Sequence, residues 1–146
     1  MGREPPSRRS DYPVFEAVAL RWDDNDIYGH LNNTVHYRLV DTAVNQWLIR
    51  AGLLDLHGSA HLNMVVATSC SFHAEAGFPD RVTAGLRIAE AGRSSLRWRV
   101  GLFRNEDEFA FADLTFTNVR TGRVSRRPEP LPEADLRVLA QLMTGP

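Results

Sequence analysis

The chain has 146 residues, room for one domain, with 43% hydrophobic and 24% charged residues, a balance that excludes wholesale disorder. Seventeen basic residues against 18 acidic ones leave a net charge of −1, which excludes bulk attraction to nucleic acid. The lone cysteine, Cys70, rules out an intrachain disulfide and any multi-cysteine metal framework. All 17 basic residues are Arg, so lysine Schiff-base chemistry is also excluded.

In chain order, residues 1–13 carry three prolines, three arginines and no apolar periodicity, which predicts a disordered arm ahead of a domain spanning 14–146. The apolar stretch 14–20 is interrupted by Glu16 and too short for a signal-peptide core. Pro6 stands where a myristoylation motif requires Ser or Thr, and no run approaches the roughly 18 apolar residues of a membrane span. The expectation is a cytoplasmic protein that does not enter the membrane.

Residues 14–22 read as a strand, and 23–33 as a polar turn crowded with Asp, Asn and Gly. Val35, Leu39, Val40, Ala43, Val44, Trp47 and Leu48 then form a helical stripe. With Asn32 or Asn33 as N-cap and Gly52 as C-cap, a helix over 33–51 would run roughly 28 Å, enough to cross a sheet. The apolar run 62–72 suits a central strand buried on both faces. Val82, Ala84, Leu86 and Ile88 alternate with smaller or polar residues, as do Leu96, Trp98, Val100 and Leu102. A turn at 105–108 leads to a last strand over 109–120, and Pro128, Pro130 and Pro132 close the sheet region. Leu136, Leu139, Ala140 and Met143 predict a short C-terminal helix. The fold class is α+β: one long helix on a mostly antiparallel sheet of five to six strands. A lone helix leaves sheet edges exposed, so self-association is expected.

Chemistry concentrates in residues 24–33, DNDIYGHLNN. Asp26 lies just upstream of the helix start, Gly29 allows close backbone approach, and His30 and the Asn pair surround unpaired N–H donors. A helix N-terminus favours developing negative charge and can serve as an oxyanion site. The same positive end favours an ionised Asp26, as a base or nucleophile requires. His57 and His61 are four apart but flank Gly58 and Ser59, a poor helical metal site, so no metal or cofactor is expected. Cys70, in an apolar strand, reads as an inert thiol.

The order strand, D-x-D-x-x-G-H-[VL]-N-N, long helix resembles the 4-hydroxybenzoyl-CoA thioesterase-like branch of the hotdog fold. The matching residues are Arg21, Asp24, Asp26, Gly29, His30, Leu31, Asn32, Asn33 and Tyr37. Gly92-Arg93-Ser94-Ser95 is similar to a turn that relatives often mark with Gly-x-Ser-Ser. The resemblance implies an acyl-CoA thioesterase in which Asp26 is nucleophile or general base, the N–H near Asn33 polarises the thioester carbonyl, and His30 assists. It gives Tyr28 a pocket-lining role and makes Asp24 structural. It puts Arg93, Ser94 and Ser95 near the pantetheine and phosphates of CoA, a task suited to the arginine fork. On the residues themselves, Gly29 lets substrate approach closely, and Trp22, Trp47 and Trp98 read as core or interface, with Trp47, on the helix stripe, best placed to line an apolar pocket. The resemblance further implies a homodimer or homotetramer with the site at the subunit interface, acting on acyl-CoA or on an acyl-carrier-protein thioester. A non-hydrolytic binding module of the same fold is the alternative. A hydratase or dehydratase fits less well, because those relatives separate Asp and His by one more residue.

Overall fold

The computed structural model describes residues 3–143. Five strands, β1 (Val14–Val18), β2 (His61–Phe72), β3 (Val82–Ala91), β4 (Ser95–Arg104) and β5 (Ala112–Gly122), form one sheet in the order β1-β3-β4-β5-β2. Every pairing is antiparallel. The helix α1 (Val35–Arg50) crosses one face, and α2 (Glu133–Leu139) follows the sheet. This is the hotdog arrangement.

The stripe explains the packing. Leu39, Val40, Ala43, Val44, Trp47 and Leu48 are buried on α1 and share one core with Ala84, Leu86, Trp98, Val100, Leu102 and Leu114. Trp47 and Trp98 meet edge to face at 6.2 Å. Alternation in β3, β4 and β5 sends one set of side chains to this core and leaves the other on the outer face. At its end α1 is capped by a Schellman arrangement: Gly52, at φ +76°, donates to Ile49, and Leu53 donates to Leu48. At its start, Thr34 holds the cap position, and Asn32 Oδ1 accepts the Thr34 N–H at 3.0 Å and the Thr34 hydroxyl at 2.8 Å.

Three expectations are corrected. The segment before β1 is packed, not a disordered arm: the described part lies across the outer sheet face, where Tyr12 is buried over Gly85 and Gly101. Ser7 donates its N–H to Asp113 at 2.9 Å, Tyr12 Oη reaches the same carboxylate at 3.3 Å, and His73 Nε2 meets it at 3.0 Å. Burial pushes the Tyr12 phenol up to about 12. The low apolarity of this segment concealed a docking site made by two glycines on neighbouring strands. Second, β2 is not central. It is an edge strand, with Met64, Val65 and Val66 exposed, because β5 alone pairs with it. Third, β1 stops at Val18, short of Trp22, which lies in a 3₁₀ turn and is 77% exposed. The last turn also differs in detail: Leu139 and Leu142 are the buried residues there, while Ala140 and Met143 face out.

A Cβ on Gly101 would sit 2.8 Å from both Ser7 Oγ and the Tyr12 ring. Gly101→Val is therefore expected to eject the N-terminal segment while the α1-side core stays intact. Limited proteolysis checks it: trypsin should cut at Arg8 and Arg9 in the variant at a concentration that spares the wild type.

Candidate active site

The loop between β1 and α1 is tied at both ends by Asp24. This side chain is 1% exposed and accepts the Arg21 N–H at 2.7 Å and Arg38 Nη2, from α1, at 2.6 Å. Its carbonyl accepts the Asn32 N–H at 3.0 Å. Burial alone would raise this carboxyl, but the Arg21 N–H and the two guanidinium groups outweigh it and hold the group below the usual carboxylate value. Asp24 is thus structural, as its place in the motif implied.

Inside that frame the loop closes on Asp26. The Asp26 N–H donates to the His30 carbonyl at 2.7 Å, and Gly29 donates to the Asp26 carbonyl at 3.1 Å. Asp26 Oδ1 accepts the N–H groups of Tyr28 at 2.8 Å and His30 at 3.2 Å. The tight return requires Gly29 at φ +79°, a conformation costly for any side chain. Among the described residues, Asp26 Oδ2 accepts no hydrogen bond and Asn33 N–H donates none. The result is an oriented carboxylate with one oxygen free, beside a helix start with a free donor.

The other half of the site comes from residues 73–78, between β2 and β3. Leu31 donates to the Ala76 carbonyl at 2.8 Å, and Asn25 Oδ1 accepts the Phe78 N–H at 2.9 Å. Gly77 lets the two loops meet, since a Cβ there would lie 2.5 Å from the Gly29 carbonyl oxygen. Glu75 Oε2 is 3.0 Å from His30 Nε2. Together the loops enclose a cavity of about 210 Å³ lined by Asp26, His30, Asn33, His36, Phe72 and Glu75, among others. On its wall His36 is 4% exposed and stands edge-on to Phe72 at 4.8 Å and Phe111 at 5.9 Å. Burial lowers the His36 pKa, so its imidazole is neutral at neutral pH.

Asp26, His30 and Asn33 therefore lie together around one cavity. The remaining expected residues do not join them within one chain. Tyr28 points outward, 76% exposed, and contributes its N–H rather than a pocket wall. Gly29 lines a groove on the outside of the loop, beside Trp22 and Ile27. Trp47 lies 14 residues along α1 from Asn33, about 21 Å, and fills core against Trp98. Arg93, Ser94 and Ser95 sit at the β3–β4 turn, where Arg93 and Ser94 offer carbonyls to Leu131 and Arg120. The ten residues of β3, roughly 33 Å, separate that turn from the Asp26 end of the sheet. Asn25, Phe72, Glu75, Gly77 and His36 escaped the sequence reading. For His36 a signal existed, a polar residue beside the apolar helix stripe; the others join the loop only through contacts some fifty positions apart. Cys70, half-buried in β2, has its thiol pushed up to about 11 by burial, so it is no nucleophile. Among the described residues no three His, Cys, Asp or Glu side chains gather into a set that could hold a metal ion.

Asp24→Asn is expected to cost about 2 kcal/mol at neutral pH, a figure discounted for the partial exposure of both arginines. Because the folded-state pKa is depressed, the stabilisation is present above the ordinary carboxylate value and is lost as pH falls through the lowered one. The difference between urea melts of the two proteins should thus begin to shrink below about pH 4 and vanish only below the lowered value.

Over residues 20–142 the chain matches the family described as the thioesterase-like superfamily. No curated protein matches it. Among solved structures it is similar to the PA5185 protein of Pseudomonas aeruginosa, with 40% identity over 96% of this chain and 98% of that one and a TM-score of 0.92. It is also similar to the PA2801 protein of the same organism, with 25% identity over 88% and 98% of the two chains and a TM-score of 0.81. A thioesterase of Thermus thermophilus, solved with coenzyme A and zinc, aligns with 27% identity over 90% and 95% of the two chains and a TM-score of 0.75. With more than four-fifths of its length matched and the helix, sheet and Asp26 loop in place, the chain belongs to the thioesterase-like superfamily.

Proposed function

We propose that the protein hydrolyses acyl-CoA thioesters, with Asp26 as base or nucleophile and the Asn33 N–H as the oxyanion donor. One observation carries this: Asp26 Oδ1 is locked by two backbone N–H groups while Oδ2 stays free, next to the unengaged Asn33 N–H at the start of α1. The superfamily match and the coenzyme A bound to the Thermus relative support the substrate class. In the base form of the step, Oδ2 takes a proton from water and the water oxygen bonds to the thioester carbon. Negative charge passes to the carbonyl oxygen, where a fixed donor stabilises it more than the ground state. Collapse breaks the carbon–sulfur bond, and the proton held by Asp26 goes to the departing thiolate. In the nucleophile form, Oδ2 itself bonds to the thioester carbon, the carbon–sulfur bond breaks as CoA leaves as thiolate, and water then hydrolyses the anhydride, freeing Asp26 and the acid and supplying the proton that the thiolate takes up.

The working unit we propose is a two-fold dimer joined along β2. A 12-residue edge strand exposing Met64, Val65 and Val66 is a pairing surface left open. Arg120, paired with Asn63 near the start of β2, donates its N–H to the Ser94 carbonyl, so the Arg93–Ser95 turn lies at that end; the Asp26 loop lies beyond Phe72 at the other. Antiparallel pairing of two β2 strands brings the first end of one protomer beside the second end of its partner. The turn carrying Arg93 is then supplied in trans, close to where CoA phosphates emerge, and the fork of Arg suits them. An acyl-carrier protein is the alternative carrier of the acyl group, and the cytoplasm is the proposed location.

Asp26→Asn is expected to lower kcat by roughly 10²–10⁴-fold, read as CoA release from a panel of acyl-CoAs. Undiminished turnover would remove Asp26 from the mechanism. Val66→Lys, which places a charge on the open edge, is expected to give a monomer by light scattering and to lose activity in parallel. A fully active monomer would refute the shared site.

A further inference from the structure

The buried imidazole of His36 has no part in the proposed step. His36 stands in the first turn of α1, its side chain on the cavity that holds Asp26 and Asn33. It is a buried polar group: its Nδ1 is enclosed in the protein, and its Nε2 has no hydrogen-bond partner among the described residues. Burying an imidazole with Nε2 unpaired costs free energy, so its retention calls for a reason. Packing is not one, because a phenyl ring would make the same edge-on contacts with Phe72 and Phe111 at no polar cost. The backbone carbonyls of Asn33 and Asn32 face the ring. They favour the tautomer with its proton on the enclosed Nδ1, which leaves Nε2 an acceptor. The carboxylates of the lining, Asp26 and Glu75, are themselves acceptors, His30 Nε2 is turned to Glu75 at 3.0 Å, and Asn33 offers its N–H to the reacting carbonyl. Beyond them the surfaces of Leu31, Phe72, Ala74 and Ala76 are apolar. The cavity is small, about 210 Å³, so a group it holds lies within a few bonds of the thioester carbon.

We propose that His36 is a specificity-determining residue whose Nε2 accepts a hydrogen bond from a hydroxyl on the acyl group, making short 2- or 3-hydroxyacyl thioesters the preferred substrates. This rests on the thioesterase reading and extends it to a substrate class. A site built around such an acceptor disfavours the analogue lacking the hydroxyl, because the buried nitrogen is then desolvated without a partner.

The test compares kcat/KM for butanoyl-CoA with that for 2-hydroxybutanoyl-CoA and 3-hydroxybutanoyl-CoA. In the wild type at least one hydroxyacyl substrate should be favoured fivefold or more. His36→Phe, which keeps the aromatic contacts, should bring that ratio towards one, and His36→Gln, which keeps an acceptor, should restore part of it. Circular dichroism melts identify a variant that fails to fold, and then the wild-type ratio and the Gln variant decide. A wild-type ratio near one, or a ratio untouched by His36→Phe, overturns the assignment while leaving the thioesterase reading intact. If no substrate releases CoA, that reading fails by itself, and calorimetric affinities of the same three ligands for wild type and His36→Phe still decide the role of His36.

Discussion

Leu39, Val40, Ala43, Val44, Trp47 and Leu48 can leave water in one way only, against the inner face of the sheet. Each such side chain gains about 1.5–3 kcal/mol on burial, an upper estimate but large against the net stability of a domain. That requirement sets the direction of α1, and with it where the helix begins. The start of α1 falls at the end of the sheet where β2 turns towards β3, so the loop preceding the helix meets the loop following β2. The site is a consequence of where an apolar stripe must lie.

Holding an eleven-residue, mostly polar loop still is a different task, to which apolar burial contributes through Leu31 alone. Asp24 performs it electrostatically, joining Arg21 before the loop to Arg38 on the helix. Asp26 performs it locally, its Oδ1 spent on two N–H groups. One carboxylate is wholly consumed by structure and the next is half consumed, and the half left over is what chemistry can use. Gly29 and Gly77 serve opposite purposes in this arrangement. Gly29 permits a left-handed turn, whereas Gly77 removes a methyl group that would strike the Gly29 carbonyl.

The same logic accounts for the edges. The outer face of the sheet carries the N-terminal segment, docked by Tyr12 on glycines of β3 and β4 and by Ser7 on Asp113 of β5. The β2 side is bare and apolar in one chain. An asymmetry of that kind, one face strapped by the chain itself and one edge open, fits a protomer that completes its sheet with a second copy.

Local pattern along the chain was enough to read the helix, most of the strands and the loop that carries Asp26. Periods of 3.6 and 2 are local properties, so α1, β3 and β4 could be read directly, and Gly52 marked the helix end because few other residues take its φ. The spacing from Asp24 to Asn33 is likewise local, and it placed Asp26, His30 and Asn33 beside one helix start. Only the tertiary structure decided which strand is an edge, since an apolar run such as residues 62–72 is compatible with burial by its own chain or by another. It also decided that Trp47 fills core while His36 faces the cavity, because direction around a helix is settled by what packs against it. Residues 25 and 78, or 30 and 75, are remote in sequence, and only the sheet returns the chain to join them. The partnership of the two loops is therefore a property of topology, set by the cost of leaving the α1 stripe in water.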